Sequence, residues 1–112
     1  MSDLSGHIKV EISKADLLIK RGDFDVAFGH LERAHVLGQS RTFDHTRIHW
    51  RMFKLGLRMH SIREVWGQFL RIIGASTKTP LGIYPKGNTG GANVWFFRPM
   101  PIAEDLQQII AR

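Results

Sequence analysis

Between Leu4 and Gly74 apolar residues recur every three to four positions, and only short turns interrupt them. Such a chain must bury a series of helical stripes, and short turns force consecutive helices to run antiparallel. The first helix is predicted over Leu4 to Lys20, with Leu4, Ile8, Ile12, Ala15 and Ile19 on one stripe. Lys20, Arg21 and Gly22 make a helix stop, and Asp23 is an N-cap for a second helix from Phe24 to about Leu37. Phe24, Phe28, Leu31 and His35 share its inner face, and Gly38 ends it. A third helix is predicted from Thr42 to about Met59. Ser61 and Glu64 form an S-x-x-E capping box for a fourth, closed by Gly74, with Ile62, Val65, Trp66, Phe69, Ile72 and Ile73 as its buried stripe.

Beyond Gly74 glycine, proline and aromatic residues dominate. Ile83-Tyr84 and Val94 to Phe97 read as short strands flanking the glycines, and Ala103 to Ala111 as a last short helix. Trp95, Phe96, Phe97 and Met100 are too apolar for a free tail, which points to packing across the helices first and to a homodimer contact second. The expected fold is mostly α: two antiparallel helical hairpins in a compact bundle, with the Gly/Pro-rich C-terminal segment, including a short β-hairpin, packed over it. One domain is expected over residues 1–112, with a four-helix core in 1–74 and the tail in 75–112.

Composition narrows the function classes. The chain has no cysteine, which excludes disulfides, thiolate zinc sites and a cysteine nucleophile. No apolar run approaches the ~20 residues of a bilayer span, and the first residues lack a secretory pattern, so a cytoplasmic protein with no membrane contact is expected. The net charge of +6 favours acidic partners, nucleic acid among them. No Gly-x-Ser-x-Gly elbow, His-Glu-x-x-His pair, phosphate loop or dinucleotide fingerprint is present, and no enzymatic reaction is expected.

Two resemblances add to this. Gly22, Asp23, Phe24, Ala27, Leu31 and Ala34, with Ala15 and Leu18 before them, resemble a single tetratricopeptide unit, which implies a closely packed helical hairpin and a protein-binding role. Gly29–Ser40 (GHLERAHVLGQS), Arg63–Gln68 (REVWGQ), Gly87–Val94 (GNTGGANV) and Pro99–Ile102 (PMPI) resemble the small bacterial family catalogued as domain of unknown function 3703. That resemblance implies no established activity, and it carries an expectation of genes placed among those for heavy-metal resistance.

The histidines are the sharpest feature. At 100° per residue, His45 and His49 lie in the middle of the apolar face of the third helix, beside Ile48, Met52 and Leu55. Counted outward from the turn between the second and third helices, His35 lies level with His45, and His30 with His49. Glu11 falls in the apolar stripe of the first helix near the level of Arg33. His35, His45, His49 and Glu11 can therefore complete a tetrahedral N/O site for zinc or another divalent transition metal. Glu32 and His35 form a Glu-x-x-His pair, with Glu32 toward the rim. The alternative is that the imidazoles satisfy one another, Glu11 and backbone carbonyls without metal. His7 and His60 read as surface or helix-end residues.

Arg47, Arg51, Lys54 and Arg58 form a cationic stripe on the opposite face of the third helix, suited to an acidic protein surface or to phosphates. Gly87, Asn88, Gly90 and Gly91 can form an anion-binding nest of amides or a tight turn. The residues thus favour a non-enzymatic module that binds a protein partner. A metal-binding protein built on the histidines is the first alternative, and a nucleic-acid binder using the cationic stripe is the second.

Overall fold

A computed structural model describes residues 4–78, 86–92 and 99–111. Five helices follow in order: α1 (Leu4–Arg21), α2 (Phe24–Gly38), α3 (Thr42–Arg58), α4 (Ile62–Lys78) and α5 (Glu104–Ala111). The predicted strands at Ile83-Tyr84 and Val94–Phe97 lie outside the described residues. The mostly α expectation holds: α1 packs on α2 and α3 on α4 as two hairpins, α2 joins them through α3, and α5 lies against α2.

The turns follow from the local sequence. Gly22 takes φ 82°, and Asp23 N–H donates back to Leu18 C=O at 2.9 Å, closing α1. Asp23 makes no side-chain cap; its carbonyl accepts from Ala27 N–H at 3.0 Å. α3 ends on His60, a non-glycine residue at φ 56°, with Ser61 N–H returning to Gly56 C=O at 3.0 Å. The capping box of α4 is half formed. Ser61 Oγ accepts from Glu64 N–H at 3.2 Å, but the Glu64 carboxylate turns away to other partners. Gly74 does not stop α4, which runs one turn further with Ala75 buried and the Ser76 hydroxyl bonded back to Ile72 C=O.

The apolar core is made by α1, α2, α3 and α5, around Ile8, Leu31, Leu37, Ile48, Met52 and Leu106. Ala15, Ala27 and Ala34 are fully buried, which lets the helices approach closely. No residue of α4 belongs to this cluster. The predicted stripe of α4 is in fact turned outward: Ile62, Trp66, Phe69 and Ile73 are exposed, while Val65 and Ile72 are half-buried. The inward face carries Glu64, Gln68, Arg71 and Ala75. Periodicity located the stripe correctly and its direction wrongly, because the polar face of α4 turns inward, where Gln68 meets His49 of α3 and Glu64 meets Ala92.

Candidate metal centre

His35 on α2 and His45 and His49 on α3 meet where the two hairpins join. They are only 2%, 6% and 2% exposed. The His35 ring lies edge-on to both others, with centroids 4.6 Å apart in each case, and the His45 and His49 centroids are 4.9 Å apart. His35 Nε2 is 2.9 Å from His45 Nε2 and 3.0 Å from His49 Nε2, and the three residues offer ligand nitrogens that all lie within 4.8 Å of one another.

The partners behind the rings set the tautomers. His35 Nδ1 is 2.7 Å from the Asn88 carbonyl oxygen, which can only accept, so Nδ1 carries the proton. His49 Nδ1 is 2.5 Å from Gln68 Oε1. The orientation of that amide is fixed from its other side. Gln68 Nε2 donates to Glu64 Oε1 at 3.1 Å and to the Gly90 carbonyl at 2.7 Å, which leaves the oxygen facing His49. His49 Nδ1 must therefore donate. In the neutral state both Nε2 atoms present lone pairs, and they face each other at 3.0 Å with no proton between them. A proton is held off by burial, which pushes His49 down to about 3 and His45 to about 4, with the His45 charge acting further against His49. His35 is also pushed well down, first by burial and then by its two neighbours.

The glycine loop is a cover. Gly90 sits at φ +87°, and a Cβ there would stand 2.6 Å from His35 Cδ2. The loop is held by Gly87 N–H to Gln39 Oε1 at 2.8 Å, Gly90 N–H to Asn88 Oδ1 at 2.8 Å, and Ala92 N–H to the Glu64 carboxylate at 3.0 Å. These amides serve protein acceptors, and Gly87, Asn88, Gly90 and Gly91 are all buried. Gln39, Glu64 and Gln68 were missed at the sequence level. The available signal was the polar i, i+4, i+7 row Glu64, Gln68, Arg71 on an otherwise apolar helix.

Glu11 is not brought to the three imidazoles. It is buried, but its carboxylate accepts from His30 Nδ1 at 2.8 Å and from Arg33 Nε at 3.2 Å. Glu32 faces Thr89 and Glu64, and burial raises its pKa, with the Glu64 charge adding to this. The cationic stripe is largely engaged within the chain. Arg51 pairs with Asp16 at 2.6 Å, and Arg47 with Asp44 at 3.3 Å. Arg58 lies over the Phe24 ring at 5.3 Å, and Lys54 over Trp50 at 6.0 Å.

Among the described residues no helix is long and apolar enough to cross a membrane. No curated protein and no solved structure matches the chain. A family profile described as "Protein of unknown function (DUF3703)" matches residues 2–110, nearly the whole chain and including all three histidines, so the chain belongs to the DUF3703 family.

Proposed function

We propose that the protein binds one divalent transition-metal ion through the Nε2 atoms of His35, His45 and His49. The observation that carries this reading is the pair of facing lone pairs on His35 and His49, 3.0 Å apart in a buried site. An electrophile between them removes the repulsion, and burial opposes a proton in that role at neutral pH. Three imidazole nitrogens about 2.0–2.1 Å from a tetrahedral ion stand about 3.3 Å apart, close to the 2.9 and 3.0 Å that separate His35 Nε2 from those of His45 and His49. Each Nδ1–H of His35 and His49 already meets an oxygen acceptor, the outer-shell arrangement that orients metal-ligating imidazoles. Neutral nitrogen donors suit zinc, copper or nickel, and three protein ligands leave a fourth position for water or cargo exchange. Binding, buffering or carrying an ion needs nothing more.

The nucleic-acid reading draws less support, because Arg47, Arg51 and Arg58 have partners inside the chain. Elemental analysis of untagged protein, with melting measured on titration of zinc, copper and nickel, tests the metal site. The expected outcome is about one ion per chain and a melting temperature that rises with metal, both lost in His45→Ala and His49→Ala. Protein that is metal-free, and whose melting none of the three ions changes, would sink the reading.

A further inference from the structure

α4 is turned inside out relative to an ordinary surface helix. Its polar residues Glu64, Gln68 and Arg71 are buried, and its large apolar residues face solvent. Ile62 is 76% exposed, Trp66 63%, Phe69 48%, Leu70 51% and Ile73 52%. They recur at i, i+4, i+7, i+8 and i+11, one continuous stripe along the helix. Between Trp66 and Thr77 the exposed residues of α4 include no charge, since Arg71 is buried; Arg63 stands at the N-terminal end. Soluble domains rarely leave a stripe of this kind uncovered.

We infer that the outward stripe of α4 is the interface of a homodimer, closed by the same stripe of a second copy. Charge and area select this occupant. A face empty of charge at its centre and rich in Trp and Phe has the composition of an interface core, and it offers an acidic or basic partner nothing to read. It is also self-complementary. Antiparallel pairing about a twofold axis near the middle of the helix sets Trp66 of one copy against Leu70 of the other, and Ile62 against Ile73, with the two Arg63 side chains at opposite rims. On the scale of 150–250 Å² for a whole aromatic side chain, the five residues offer roughly 500 Å² per copy. That fills the buried centre of an interface of about 800 Å² per partner. The inference stands apart from the metal site, because it rests on the opposite face of the helix.

Sedimentation velocity on the full chain at micromolar concentration tests it, with Trp66→Glu and Phe69→Glu alongside. The wild type should sediment at about twice the 12.8 kDa chain mass. Each variant should keep the wild-type helix content and have its dimer dissociation constant raised by at least about thirtyfold. Circular dichroism identifies a variant that fails to fold, and Ile62→Ser then supplies the milder disruption. A wild type that stays monomeric overturns the inference, as does a dimer that survives all three substitutions. Monomeric binding to anionic phospholipid vesicles, lost in Trp66→Glu, would overturn it in favour of a membrane surface.

Discussion

Gln68 ties three otherwise separate groups to one proton arrangement. Its amide nitrogen is held by Glu64 and by the Gly90 carbonyl, and its oxygen holds His49 Nδ1–H. Gln68→Ala removes that acceptor, frees the imidazole to rotate, and strands the buried His49 Nδ1–H and the Gly90 carbonyl at a cost of about 1–3 kcal/mol, while Glu64 keeps the Ala92 N–H. If a metal sits on Nε2, the affinity should fall about 10–100-fold while the stoichiometry stays at one, because all three ligands remain. A competition titration with a chromophoric chelator measures this, and an unchanged affinity would show that Gln68 does not orient a ligand. The same burial sets a pH dependence in the metal-free protein. The folded values of about 3 for His49 and about 4 for His45 lie below the ~6.5 of an unfolded imidazole. Between these limits the unfolded chain binds more protons than the fold. Stability is therefore complete above about pH 6.5 and is lost progressively as the pH falls toward 3. Urea midpoints of chelated protein should drop between pH 7 and pH 5, and a constant midpoint contradicts burial of the neutral rings.

At the scale of the elements, the sequence was most legible where one helix faces one core. The stripes of α1, α2 and α3 needed only periodicity, and the short turn between α2 and α3 placed His35 level with His45 because nothing intervenes to change the count. Glu11 does lie level with Arg33, as counted, but level alone does not bring it to the imidazoles. In the structure His30 and Arg33 hold its carboxylate, so it satisfies its burial away from the imidazoles. α4 was the harder case. A hydrophobic period gives the width of a stripe but not the side on which the partner stands, and here Glu64, Gln68 and Arg71 go inward, Gln68 to meet His49 on another helix. The α3–α4 turn shows a second limit. His60 at φ 56° occupies the left-handed position that closes helices and that usually carries glycine. His60 is exposed. His60→Gly should relieve the strain of a side chain there and stabilise the protein by about 0.5–1 kcal/mol. A higher melting temperature checks this, and a lower one would mean that the imidazole makes a favourable contact that the turn depends on.

Across the whole molecule two kinds of cohesion lie side by side. α1, α2, α3 and α5 share the apolar cluster around Leu31 and Met52, whereas α4 packs on α3 outside that cluster, and α4, the loop at 86–92 and the imidazoles are linked to one another through Gln68 and Glu64. Amides under the shared apolar cluster exchange by opening most of the fold, while an element outside that cluster can open on its own at lower free energy. In metal-free protein the amides of α4 and of residues 86–92 should therefore exchange before those of α1 and α2. A metal on His35, His45 and His49 clamps α2 to α3 directly. It also reaches α4 through His49 and Gln68, and the loop through His35 and the Asn88 carbonyl. Hydrogen-exchange mass spectrometry with and without saturating zinc should then show slowed exchange concentrated in α4 and residues 86–92, with α1 nearly unchanged. Protection spread evenly over all helices would instead indicate that the ion only shifts global unfolding. Protection confined to α3 would mean that the hydrogen bonds behind the rings do not transmit the binding. The predicted pattern requires both the three ligands and the two acceptors behind them, so it tests the site and the cover together.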